Sequence, residues 1–319
     1  MSLLRGSGRD ISYLKETTTP GQVEGATYVD GVITVQTTEA FQLLRTTGDS
    51  FNLSRDTFES NELKSDRGVS DLKSGNKQAA GSVDIELSYE NFEDMIEAVL
   101  ETADTLSIPT DTIQNGITMI PYSIEKGFPN GNHYQIYTGM YANTLSLNLQ
   151  ANSQVTGSIE FIGMDQEVRT TPASSVAKTE PISGGLFDSF TGDIKEGGVS
   201  IGTITSMSLT ITNGLTPTFV LMNDAVKEVI DGRCMVEGSL SVYFENATLY
   251  NKFVNDTESS IEFTLTDPAS SPDGYTFLLP RVKYTGADMP VSDEGPVTVT
   301  MPFKALQHAT NGTIKITKN

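Results

Sequence analysis

GSVDIELSY, residues 81–89, decides the fold class. Val83, Ile85 and Leu87 alternate with Asp84, Glu86 and Ser88, so an extended chain turns one apolar and one polar face. A helix would scatter the same apolar residues around its circumference. The period of two returns at TLSLNLQ (144–150), VTGSIEF (155–161), MSLTIT (207–212), GSLSVYF (238–244), IEFTL (261–265) and VTVTMPF (297–303). Gly, Asn, Asp and Pro punctuate these runs, as turns require. Strands with one wet and one buried face belong to antiparallel sandwiches and barrels, so a mainly β protein is expected.

Two helices interrupt the pattern. In ENFEDMIEAVLETA (90–103), Phe92, Met95, Ile96, Val99, Leu100 and Ala103 recur at helical spacing, with Glu93, Asp94, Glu97 and Glu101 on the other face. That acidic face is either solvated or a partner surface. In NATLYNKFV (246–254), Leu249, Tyr250, Phe253 and Val254 repeat the spacing behind Asn246, a candidate N-cap. Gly81-Ser82 opens a strand leading into the first helix, and Gly238-Ser239 opens one leading into the second. Further strands follow each helix, with loops of different length. This order predicts two tandem β-sandwich domains, each flanked by a helix, at 22–164 and 199–319; convergent all-β patterning is the alternative. Residues 165–198, rich in Ser, Thr, Pro and Gly, are expected to be a linker, and 1–21 a polar N-terminal arm.

At 319 residues the chain can build two ordinary cores. It carries 41 acidic and 21 basic residues, a formal net charge of -20, and no basic footprint that would grip nucleic acid. No stretch has the ~18 consecutive apolar residues of a membrane span. The N-terminus lacks the apolar segment of a secretion signal, so synthesis in the cytoplasm is expected. Cys234, the single cysteine, lies in a strand-like apolar run and reads as core. The long segment 54–80 has no strand periodicity and is expected to be a loop. It concentrates Arg55, Lys64, Arg67, Lys73 and Lys77, five of the 21 basic residues, where they would meet negative surface, such as that of another subunit.

Signs of catalysis are missing. His133 and His308 are the only histidines, without metal-ligand spacing, and no zinc, nucleophile-elbow or phosphate-loop motif occurs. A two-carboxylate glycosidase is not excluded by counting, but the chain has no tryptophan to stack a sugar ring. No enzyme activity and no cofactor are expected.

Segments 59–100, 124–139 (IEKGFPNGNHYQIYTG), 143–163 (NTLSLNLQANSQVTGSIEFIG), 204–214 (ITSMSLTITNG), 237–253 (EGSLSVYFENATLYNKF) and 276–306 occur in an order that resembles the major tail tube proteins of long-tailed, non-contractile bacteriophages. The resemblance implies sheets that join side by side between subunits into a continuous barrel around a lumen, with rings stacked head to tail. It further implies that the 54–80 loop and the N-terminal arm reach adjacent subunits, that tape-measure and tail terminator proteins are partners, and that DNA transits without specific binding. If a ring presents six copies of the fold and each chain carries two, three chains complete it. The alternative is a hexamer with only one half of each chain at the lumen. If polar strand faces line the channel, Asp84, Glu86 and Glu160 are its charged residues. The rival reading is a phage adhesin of two sandwich domains that binds a receptor or glycan.

Overall fold

The computed structural model describes residues 6–319 except 30, 63–67, 183, 190–191, 271–272 and 291–294. In the first half the strands are β1 (Asp10–Lys15), β2 (Thr27–Val29), β3 (Val32–Val35), β4 (Gln42–Leu43), β5 (Gly48–Asp49), β6 (Asn52–Glu59) and β7 (Leu72–Glu86). After helix α1 (Glu93–Val99) come β8 (Thr112–Gln114), β9 (Tyr122–Phe128), β10 (His133–Gln150), β11 (Thr156–Gly163) and β12 (Asp165–Arg169). The second half begins with β13 (Gly192–Glu196), β14 (Val199–Ser200), β15 (Ile204–Thr212), β16 (Thr216–Thr218), β17 (Glu228–Ile230) and β18 (Met235–Tyr243). Helix α2 (Thr248–Val254) precedes β19 (Ser259–Thr266), β20 (Gly274–Tyr284), β21 (Thr298–Ala305) and β22 (Lys315–Lys318). The protein is mainly β, as the alternation predicts, and the ladders between its described strands are antiparallel.

One pairing scheme occurs twice. In the first half, β1 pairs with β9, β9 with β10 and β10 with β12. In the second, β13 pairs with β19, β19 with β20 and β20 with β22. Strands β10 and β20 are long, and each changes partners part-way along its length. The later part of β10 pairs with β11, and β11 with β7; likewise the end of β20 pairs with β21, and β21 with β18. The change is marked in β10 by an irregularity between Ala142 and Thr144, and in β20 by one between Leu279 and Val282, where Pro280 lacks a backbone donor.

The alternating apolar residues meet between the sheets. Val83, Ile85, Leu145, Leu147, Ile159, Phe161, Leu209, Ile211, Leu240, Met301 and Phe303 form one continuous core that runs through both halves. Helix α1 adds Met95, Ile96 and Val99 to it, while α2 contributes only the half-buried Leu249 and Phe253. Cys234 is also half-buried against this core, and burial pushes its thiol up to about 11, so it stays neutral.

Four expectations need correction. Residues 10–15 are not an arm: β1 sits between β4 and β9 and buries Ile11, Ser12 and Tyr13. The 54–80 segment is not a loop throughout: residues 54–59 belong to β6 and 72–80 to β7, which pair antiparallel, and 63–67 lie outside the described residues. Its outer residues are exposed, so packing supplies no alternation to read. The 165–198 linker contains β12 and β13, and its Phe187 is fully buried against Tyr275, with ring centroids 5.7 Å apart. Finally, the acidic face of α1 is packed. Tyr13 Oη donates to Asp94, Tyr275 Oη to Glu93, and the Leu106 amide to Glu97, all from outside the helix. Lys318 of β22 lies 2.9 Å from both Glu90 and Glu93, binding the end of the chain to the first half.

Candidate assembly surface

The two halves share a single sheet. The later part of β10 pairs with β11 on one side and with β15 on the other, from Thr144 opposite Thr212 to Gln150 opposite Ser206. Eight strand positions therefore lie edge to edge: β5 and β6 in line, then β7, β11, β10, β15, β18, β21 and β20.

Register places the polar residues of these strands on one face. Asp84 opposes Ser158, Ser158 opposes Ser146, Ser146 opposes Thr210 and Thr210 opposes Glu237. A second row runs Glu86, Thr156, Asn148, Ser208 and Ser239. A third runs Ser82, Glu160, Thr144 and Thr212. Asp84, Glu86 and Glu160 thus share a face, as the alternation predicts. Neighbouring hydroxyls pair across the strands: Ser208 with Ser239 at 2.9 Å and Ser241 with Thr300 at 3.1 Å. Sequence reading missed Glu237, which stands on this face and forms an ion pair with Lys304. The strand run GSLSVYF begins one residue after it; extending the alternation back across Gly238 would have found it.

One end of the face is covered. The segment between β15 and β18, carrying the β16–β17 hairpin, folds back so that Leu215, Val226 and Val229 bury Tyr141, with Ile162 packed alongside. Asn213 anchors it by donating from Nδ2 to Val99 O at 2.8 Å, and the Leu215 amide donates to Asn143 Oδ1 at 2.9 Å.

The basic residues of the β6–β7 hairpin divide. Arg55 pairs with Asp224 of that folded-back segment, Lys77 with Asp165 at 2.8 Å, and Lys73 with its neighbour Asp71 at 2.9 Å. Lys64 and Arg67 lie outside the described residues. Large apolar side chains are exposed at two hairpins: Val29, Val32 and Val35 around β2–β3, and Phe219, Val220, Leu221 and Met222 between β16 and β17. Exposed apolar clusters of this kind are candidate contact surfaces.

No group of three or more His, Cys, Asp or Glu among the described residues is arranged to hold a metal. A cleft of about 360 Å³ beside α2 is lined by Tyr243, Phe244, Leu249 and Met301, with the Glu196–Lys252 ion pair at one side.

The family model described as phage tail tube protein matches residues 6–305. The chain belongs to the phage tail tube protein family. The match spans both halves and the segment between them, so this tail tube protein is a structural component of the virion tail. No curated protein matches its sequence. No described helix is long and apolar enough to cross a membrane.

Proposed function

We propose that three chains close a ring, that rings stack into the hollow tail tube of a long-tailed, non-contractile phage, and that DNA passes along the polar face of the eight-stranded sheet. The carrying observation is that sheet: polar across both halves, and ending in one edge at β5–β6 and another at residues 287–289, just after β20. Each half contributes one copy of a tail-tube-like domain. The repeated pairing scheme supports this reading, with β12 and β13 assigned to the first and second copies in place of a linker.

Geometry favours three chains. With strands about 4.8 Å apart and tilted about 40°, 24 strands close a barrel about 48 Å across between backbones. Side chains reduce the opening to about 38 Å, enough for a hydrated duplex about 20 Å wide. One chain would close at about 16 Å, too narrow for DNA, and six at about 96 Å, far wider than DNA needs. Joining edges between chains also removes the exposed ladder groups that a lone sheet must protect.

In this role the protein is made in the host cytoplasm and is not an enzyme. Tape-measure and terminator proteins would set the length and end of the tube. Cryo-electron microscopy of the purified protein at high concentration tests the proposal. Stacked rings of three chains with the Asp84 face inward are expected. Six chains per ring would overturn the stoichiometry, and discrete particles that bind a glycan would overturn the tube in favour of an adhesin.

A further inference from the structure

The β10–β15 junction inside the chain is a template for a junction between chains. Gly81 opposes Phe161, and Gly238 opposes Phe303, so these positions correspond in the two halves. Ser146 opposes Ser158, three residues before Phe161; Asp288 bridges Thr300, three residues before Phe303. Leu145 and Leu147 in β10 therefore correspond to Ala287 and Met289. On the other strand, Leu209 opposes Gly238, and Phe51 crosses Gly81 so closely that an added Cβ there would lie 2.5 Å from Phe51 Cα. Leu209 and Ile211 thus correspond to Phe51 and Leu53. In the template, Leu145 pairs with Ile211 and Leu147 with Leu209.

We propose that the β6 edge of one copy pairs antiparallel with the 287–289 edge of the next, with Leu53 opposite Ala287 and Phe51 opposite Met289. This rests on the tube reading above and adds the edges and their register.

Backbone parity agrees. Asp288 and Thr300 exchange both amide hydrogen bonds at 2.9 Å, so Ala287 and Met289 turn their backbone groups outward. The Ser50 amide donates to Ser82 O at 2.9 Å, which turns those of Phe51 and Leu53 outward as well. The Phe51 carbonyl holds one bond from Tyr137 Oη at 3.2 Å and keeps a second lone pair. In the template, the Asn213 amide donates to Asn143 O at 2.9 Å, which puts Leu145–Ile211 and Leu147–Leu209 in the same hydrogen-bonded class. A shift of one residue would set outward groups against inward ones.

Burial agrees too. Ile211 is 0% exposed and Leu147 1%, whereas their counterparts Leu53 and Met289 are 37% and 43% exposed. The junction would cover both. Charge gives a third argument. Within the chain, the segment after β15 covers Tyr141 and Ile162 with apolar side chains. The counterparts of Tyr141 and Ile162 are Lys283 and Lys304, and the counterpart of that segment is the β6–β7 hairpin with Asp56 and Glu59. Asn213 corresponds to Arg55, and Val99, the last residue of α1, to Val254, the last residue of α2. The permanent contact is apolar and the one between chains is charged, so both of its sides remain soluble before they meet.

The test uses Leu53→Cys with Ala287→Cys in a Cys234→Ser chain. A hydrogen-bonded antiparallel pair has Cα atoms about 5.5 Å apart, within disulfide reach. Oxidised tubes should give covalent multimers that unassembled chains do not, whereas Leu53→Cys with Thr285→Cys or Met289→Cys should give at least tenfold less. Cross-linking mainly at 285 or 289 in well-formed tubes overturns the register and leaves the tube standing. Wild-type protein that makes no tubes overturns the tube itself. If the cysteine variants fail to assemble, amide exchange on wild-type tubes decides: the Phe51, Leu53, Ala287 and Met289 amides should slow at least tenfold on assembly. Unchanged exchange at all four overturns the junction.

Discussion

Replacing Asp84 and Glu86 together by lysine should leave the tube intact and slow DNA passage. Both carboxylates stand on the polar face, opposite Ser158 and Thr156, so longer cations there meet no buried group. Each substitution changes the wall by two charges, giving about twelve charges per ring of three chains. A 38 Å opening around a 20 Å duplex leaves a gap of about 9 Å, about one screening length at physiological salt. At that separation in water each charge contributes about 0.15 kcal/mol, rising to about 0.3 when ionic strength falls to about 10 mM. Per ring this is about 2 kcal/mol of added attraction at physiological salt and about 4 at low salt. The sign follows from counterion release, since every new basic contact holds the duplex in place. Phage carrying the substitutions can be mixed with host cells and DNA release followed with an intercalating dye at two ionic strengths. Release should slow at both, and more at the lower. Unchanged release at both salts, from tails of normal appearance, would refute the lumen assignment.

Phe187→Ala should destabilise the subunit by about 3–5 kcal/mol in a urea titration, because it empties a fully buried site against Tyr275; a change below about 1 kcal/mol would return residues 165–198 to a tether. Burial pushes the Glu101 carboxyl from 4.5 up to about 7, with Asp231 adding to the rise. The folded chain therefore holds this proton where the unfolded chain has released it, so the group's contribution is complete below about pH 4.5 and fades as pH rises to about 7. About 3 kcal/mol should be lost across that window, and Glu101→Gln should flatten the dependence in melts from pH 5 to 8. Gly238→Ala should cost at least about 2 kcal/mol, because its Cβ would lie 2.2 Å from Ser208 O, and a neutral result in thermal melts would count against the close β15–β18 approach.

The sequence by itself determined which way the strands face. Alternation is a local property of the pleat, so Val83, Leu147, Leu209 and Met301 could be assigned to the core, and Asp84, Ser146, Ser208 and Thr300 to the wet face, before any pairing was known. It failed where burial breaks that rule. In β1, Ile11, Ser12 and Tyr13 are all buried, so no alternation remains to mark the strand. In β6 all eight residues are exposed, with the same result. The acids of α1 looked solvated because their partners, Tyr13, Tyr275 and Lys318, come from strands far along the chain. Only the tertiary structure decided that β10 joins β15 to make one sheet of two halves, that β12 and β13 occupy the supposed linker, and that Glu237 meets Lys304. Each depends on which distant strands become neighbours. That choice is made by shared edges and a common core, and no periodicity within a single strand encodes it.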